Sequence, residues 1–404
     1  MKTRTTFWVL VLVMTLGASL AYAQGKGKVF INPNPSEGVP SAAEIQALEE
    51  FVNPLEPPDT STAVLDTTKG PYRAGVMTKA GIIEEDEDLG ARAYGSFGIP
   101  YTTTRVQDGT TTASGVTSAN RLSTTYPYRA IGKLTFPQGY CSASLIRRSV
   151  IVTAAHCVHS YGGTTWYYPW TFRPGHYGAS GATAAQIAPY GSWGWAAATV
   201  PSWWANGNDQ GGGSARNNDV AVIVIAKNSS GQFIGDKTGY LDYGWNNYGF
   251  VTSSKTGNLN TAAVSTLGYP GLMDLGRIMQ RTDGPSYTLT LNNAYQIRQG
   301  SNFTGGSSGG PWIVNFRYNT AALSGGAVAG TASTMAVVGV TSWGTSDPNL
   351  PKDNYSSQFR QNNQYPSSNY GGRGAGNIGF LVNLICSVKP TGSSLTFAQL
   401  GYCN

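Results

Sequence analysis

From Tyr126 onward the chain alternates short apolar runs with turn-forming residues. The runs read AIGKLTF (130–136), SVIVTAA (149–155), VAVIVIA (220–226), AAVSTLGY (262–269), YTLTLNNAYQI (287–297), AVVGVTSW (336–343) and GFLVNLI (379–385). Gly, Asn, Ser and Pro separate them, β-branched and aromatic residues fill them, and helical periodicity between them is almost absent. This pattern predicts the strands of an all-β sandwich or barrel. Roughly 280 residues are many for one small barrel and suit two packed together. No internal repeat is visible.

Upstream the pattern is different. Residues 24–122 are rich in Pro, Thr, Gly and Ala and carry the acidic run EEDED at 84–88. One helix is expected over SAAEIQALEEFV (41–52), where Ser41 caps and Glu44 completes a capping box. The rest of this segment is expected to be weakly structured. Ahead of it, Lys2 and Arg4 precede an apolar run from Phe7 to Leu20 and the small-x-small triplet Ala21-Tyr22-Ala23. That is the form of a secretory signal peptide cut after Ala23, and the run is short for a membrane anchor. The expected division is therefore a signal peptide (1–23), an acidic pro-region (24–122) and a catalytic domain (123–404), with the junction between Arg121 and Thr125. The mature protein is expected to be exported, extracellular or periplasmic, and monomeric.

Charge and cysteines sharpen this division. Residues 24–124 hold 13 acidic and 8 basic side chains, whereas residues 125–404 hold 8 acidic and 17 basic. The two parts should attract each other, so the pro-region is itself an expected partner. The basic residues are scattered rather than clustered, which speaks against a nucleic-acid or membrane surface. Four cysteines, Cys141, Cys157, Cys386 and Cys403, suit two disulfides in an oxidising compartment. Four cysteines allow three pairings, of which the sequence-local one, Cys141 with Cys157 and Cys386 with Cys403, is the simplest. No CxxC spacing and only three histidines argue against a metal site.

Those histidines narrow the chemistry. IVTAAHCVHS places His156 just after an apolar strand, NNDVAVIVIA opens another with Asp219, and GGSSGGP presents Ser308 among glycines. A serine hydroxyl needs an imidazole to take its proton, and the imidazole needs a carboxylate to fix its tautomer. GSSGG also fits the nucleophile elbow of α/β-hydrolases, but that order ends in a histidine and none follows Ser308. The subtilisin order would need an acid before His156, where the nearest is Asp108. Asp209 is a weaker choice of acid, because no strand stands behind it. His159 and His176 have no partner motif and are expected at the surface or in loops. Six of the ten tryptophans lie between Trp166 and Trp204; packing of the first barrel is expected for them, a carbohydrate or partner surface being the alternative.

TAAHC, DVAVI, GGSSGGP and TSWG (341–344), in this order, resemble the trypsin and chymotrypsin-like serine peptidases, especially their bacterial glutamyl-endopeptidase-like branch. The likeness extends loosely over residues 125–390. It implies two six-stranded antiparallel β-barrels with the active site in the cleft between them. His156 and Asp219 would come from the first barrel and Ser308 from the second. It also implies a Cys141–Cys157 bridge beside the histidine and an oxyanion hole from the backbone N–H groups of Gly306 and Ser308. Ser342, Trp343 and Gly344 would pair with the substrate backbone, and protein or peptide substrates would be cut without cofactor or metal.

The departures concern activation and specificity. Ser307 stands where animal relatives keep the aspartate that receives a new N-terminus, so that ion pair is excluded here. Asn302, six residues before Ser308, replaces the aspartate of trypsin-like enzymes and argues against Lys or Arg preference. Thr341 stands where the glutamyl branch has a histidine, although Thr304 matches that branch. All eight glutamates lie between Glu37 and Glu87, as in an enzyme sparing itself, though β-rich domains are poor in Glu anyway. The whole reads as a secreted serine endopeptidase made as a zymogen. The alternatives are an inactive protease-fold binding protein or an aromatic-rich carbohydrate-binding β-protein.

Overall fold

A computed structural model describes residues 26–33, 101–106, 122–179, 181–209, 216–252, 254, 258–291, 294–316, 329–344 and 352–404. The expected signal peptide and the helix over 41–52 lie outside these residues.

The fold is all-β and built from two sheets. The first runs in the order β1(Gly27–Ile31), β7(Trp195–Pro201), β8(Ala221–Ile225), β5(Val150–Thr153), β4(Gly139–Arg147), β3(Ile131–Phe136), β6(Thr171–Pro174), all antiparallel. A bridge from Phe172 to Trp193, just before β7, curls its six later strands toward closure, with Phe172 N–H to Trp193 O at 2.8 Å and Trp193 N–H to Phe172 O at 3.0 Å. All five residues of β8 are buried, which is why its sequence is a continuous apolar run rather than an alternation. Trp170, Trp193, Trp195 and Trp204 are at most 4% exposed, so most of the tryptophan cluster packs this barrel.

The second sheet closes fully. Strands β11(Asn260–Gly268), β14(Pro311–Val314), β15(Ala336–Gly344), β16(Asp353–Gln358), β13(Ala294–Gly300) and β12(Gln280–Leu291) pair in that order, and β12 returns to β11. Closure removes the exposed edge, apart from the short β9(Asp242–Tyr243) beside β15, β10(Val251–Thr252) on β11 and β2(Thr102–Arg105) on β12.

One expectation is corrected. GFLVNLI is not a strand but the middle of an α-helix, Gly376–Ser387, with ten of its residues buried. A short apolar run buried all round has no periodicity to separate strand from helix. The acidic segment contributes two short strands, β1 and β2. Among the described residues no helix is long and apolar enough to cross a membrane.

Candidate active site

His156 sits in a single 3-10 turn, Ala155–Cys157, at the end of β5, and Asp219 lies two residues before β8. Because β5 and β8 pair antiparallel with Thr153 opposite Ala221, the two residues emerge side by side at one end of the barrel. The Asp219 carboxylate, fully buried, accepts the His156 backbone N–H at 2.9 Å and is 2.7 Å from His156 Nδ1. It also accepts the Ser342 hydroxyl at 2.6 Å, across from the second barrel. With the carboxylate holding Nδ1–H, Nε2 is left as the ring's acceptor. Among the described residues neither His156 Nε2 nor Ser308 Oγ has a hydrogen-bond partner, although both atoms are buried.

Ser308 lies on the turn that precedes β14. Ser307 N–H and Ser307 Oγ both reach Thr304 O, at 3.2 and 2.7 Å, and Gly310 N–H reaches Ser307 O at 2.9 Å. Ser307 is thus a turn-former. Gly306 and Gly309 take φ of 91° and 78°, a region that only glycine enters readily. The Gly305 carbonyl accepts Gly271 N–H at 2.7 Å, so in the same trans peptide Gly306 N–H points the opposite way. The Ser142 N–H to Ser308 O bond, 2.8 Å, and the Ser142 hydroxyl to Gly306 O bond, 2.9 Å, seat this turn on β4. Next to Ser142 the Cys141–Cys157 disulfide, Cα to Cα 6.2 Å, ties β4 to the residue after His156. The Cys386–Cys403 bridge, 6.1 Å, joins the C-terminal helix to the chain end. The sulfurs near His156 are therefore spoken for and offer no metal ligand.

The candidate specificity residues fall around the turn. Asn302 accepts the Thr103 hydroxyl at 2.8 Å, a contact from the acidic segment, and Thr304 Oγ1 accepts Leu272 N–H at 3.1 Å. Thr341 is buried, accepting Trp312 Nε1–H at 3.0 Å and donating to Gly310 O at 3.3 Å. Residues 342–344 of β15 run past the end of β14, whose Pro311 pairs with Val340, while β16 covers their other side. The Trp343 ring lies flat on Tyr355, centroids 3.8 Å apart, and is itself only 1% exposed.

His159 and His176 lie in loops, one of the two places expected for them, but not at the surface; both are fully buried. His159 Nδ1–H donates to Ser160 O at 2.7 Å while Nε2 faces Lys28 Nζ at 3.3 Å, and burial above all lowers its pKa. His176 Nδ1 donates to Ile187 O at 2.9 Å, and its ring meets Tyr269 edge-on. Ser160 and Ile187 are near in sequence, but the other neighbours, Lys28 for His159 and Tyr269 for His176, come from distant segments that nothing in the sequence flagged.

Sequence reading also missed the support behind Asp219. Asp209 accepts Asn218 N–H at 2.7 Å and Asn218 Nδ2–H at 3.0 Å. Burial pushes the Asp209 carboxyl up from 3.8 to about 7, against the pull of Asn218 and Arg216 and with a further rise from Asp219. Between pH 4 and about 7 the folded chain therefore holds a proton there that the unfolded chain has lost, so this group makes stability fall as pH rises. Asp209→Asn should flatten that slope in a series of thermal melts from pH 4 to 8; an unchanged slope would place the titration elsewhere.

No family model matches the chain. It is 29% identical over 189 residues to the glutamyl endopeptidase of Bacillus licheniformis, covering 47% of this chain. The chain spans about half the length of that relative, 50%. Similar solved structures are a thermostable serine protease, AL20, from an extremophilic microorganism (22% identity, TM-score 0.43, 57% of this chain and 92% of the other) and the protease Anisep from Arthrobacter nicotinovorans (21%, 0.43, 58% and 91%). A third is a Glu endopeptidase (19%, 0.42, 63% and 91%). In sequence, the chain is similar to the glutamyl-endopeptidase branch of the chymotrypsin-like serine peptidases.

Proposed function

We propose that the protein is a serine endopeptidase in which Ser308 attacks the peptide carbonyl, His156 acts as base and then acid, and Asp219 holds the imidazole. The observation that carries this reading is the buried His156–Asp219 pair, braced by Ser342, with Nε2 and the Ser308 hydroxyl both left unengaged among the described residues. Gly306 and Ser308 N–H groups stabilise the oxyanion, and water then hydrolyses the acyl-enzyme. The likeness to glutamyl endopeptidase supports protein or peptide substrates. The enzyme is made with a signal peptide and pro-region, exported, and matured by a cut between Arg121 and Thr125. A fluorophosphonate probe should label Ser308 stoichiometrically, and Ser308→Ala or His156→Ala should abolish labelling. Full labelling of Ser308→Ala would overturn the assignment.

Specificity follows from the absence of charge on Asn302, Thr304 and Thr341. Lys or Arg before the scissile bond should gain no counter-charge from them. A panel of fluorogenic peptides differing at that residue should show Lys and Arg no better than neutral residues in kcat/KM. A preference above roughly tenfold, the scale of a specific pocket contact, would contradict this.

A further inference from the structure

The carbonyl of Lys26, from the acidic segment, is held by three donors. Ser202 N–H reaches it at 3.0 Å, Gln364 Nε2–H at 3.0 Å and the Tyr365 hydroxyl at 2.6 Å. Gln364 and Tyr365 are 2% and 0% exposed, so the carbonyl is seated on a buried polar site. From there β1 pairs with β7 over five residues, Gly27 opposite Pro201 through Ile31 opposite Ala197. Gly27 lies so close to the C-terminal helix that a Cβ would come within 2.6 Å of Leu384. Phe30 stacks on Trp166 and Trp195, centroids 5.3 and 5.1 Å away. Asn32 closes the segment: its N–H and Nδ2–H donate to Ala196 O and Trp195 O, both at 2.8 Å, and its carbonyl accepts the Thr391 hydroxyl at 2.9 Å.

This segment connects to the candidate triad. Gln364 Nε2–H also donates to Ser202 Oγ at 2.9 Å, which fixes the amide so that its Oε1 accepts Asn218 Nδ2–H at 3.0 Å. Asn218 is fully buried and its amide is saturated, since Asn362 Nδ2–H donates to its Oδ1 at 2.7 Å and Asp209 takes its other amide hydrogen. The next residue is Asp219. A side-chain amide with its hydrogen bonds all satisfied has one orientation, and a buried network of this kind holds its backbone in register.

We propose that residues 26–33 are a permanent part of the active enzyme and that the Lys26 carbonyl, acting through Gln364 and Asn218, positions Asp219 against His156. Lys26 and Gln364 are positioning groups, not catalytic ones. A maturation cut downstream of Pro33 leaves the segment docked as a separate peptide, and the expected cut after Ala23 spares it. The proposal rests on the serine-peptidase reading, and Ser308→Ala in the full chain tests that reading by itself.

In the full chain, Gln364→Met keeps the length of the side chain and removes both of its hydrogen-bonding ends. It should lower kcat per fluorophosphonate-titrated site by about tenfold with KM unchanged, the loss of a small part of what orientation supplies. A drop only in the fraction of titratable sites, with kcat per site unchanged, would make the residue merely structural and overturn the proposal. The second test uses a chain lacking residues 24–33, supplied in trans with the peptide of residues 27–33. An N-acetyl group on Gly27 places a carbonyl where that of Lys26 stands; a free amine does not. The acetylated peptide should restore kcat about tenfold above the free-amine peptide at saturation of each. Equal rates with the two peptides, or full activity with neither, would overturn the proposal. Where the shortened chain does not fold, the Gln364→Met result decides alone.

Discussion

Asp219→Asn should lower kcat by roughly 10⁴ while leaving KM within a few-fold, because the substitution spoils the imidazole's tautomer without removing the group. The carboxylate here is an acceptor toward every neighbour: the His156 backbone N–H, His156 Nδ1 and the Ser342 hydroxyl. An asparagine has one acceptor and one donor end. If its NH2 faces Nδ1, that nitrogen must become the acceptor, the ring proton moves to Nε2, and Nε2 cannot take the proton of Ser308. If its NH2 faces the other way, it meets the His156 N–H donor to donor in a fully buried site. Both orientations fail, and the fold need change little. Steady-state kinetics with a thermal melt on the same sample checks this. A kcat within tenfold of the parent would move the role of the acid elsewhere, with Asp209 the next carboxylate.

Much of this arrangement was legible because it depends on local signals. The apolar runs at 130–136, 149–155 and 220–226 became β3, β5 and β8, and the pairing of β5 with β8 brings the ends that carry His156 and Asp219 together. The sequence-local disulfides are those the structure contains. What escaped was set by distant partners. β16 reads DNYSSQ, with no apolar pattern at all, yet all six residues are buried; Asn354 Nδ2–H donates to the Phe303 carbonyl and Gln358 Nε2–H to Asn247 Oδ1. β1 lacks a hydrophobic alternation strong enough to stand out, and its place is fixed by β7 and the C-terminal helix, some 170 to 350 residues away. Asn218 and Gln364 are 146 residues apart, and only the fold reveals that they share a hydrogen bond. The same holds for His159 and His176, whose burial no neighbouring residue announces.

Gly309→Ala should bring down reactivity and stability together, and the two losses can be separated. Gly309 follows Ser308 at φ 78°, where a side chain costs about 1–2 kcal/mol in any context. Here an added Cβ would also stand 2.0 Å from Thr153 Oγ1, 2.4 Å from the Ser142 carbonyl oxygen and 2.8 Å from Ala154 N. Two of those atoms are backbone of the first barrel, so the turn must move rather than the neighbours. It is also tied across β15 by Gly309 N–H to Thr341 O, 2.8 Å, and through Ser307 to Gly310. A displacement of about 1 Å at the proposed nucleophile is enough to cost 10²-fold in rate. Gly392→Ala is the matched control: its φ is 76°, and among the described residues nothing lies within 4 Å of the added atom. That variant should lose only the backbone contribution in a thermal melt and react with a fluorophosphonate at the parent rate. Gly309→Ala should melt lower still, and its folded fraction should react at least 100-fold more slowly. Equal labelling rates in the two variants would mean that Ser308 is not held by this turn and that its position is set elsewhere.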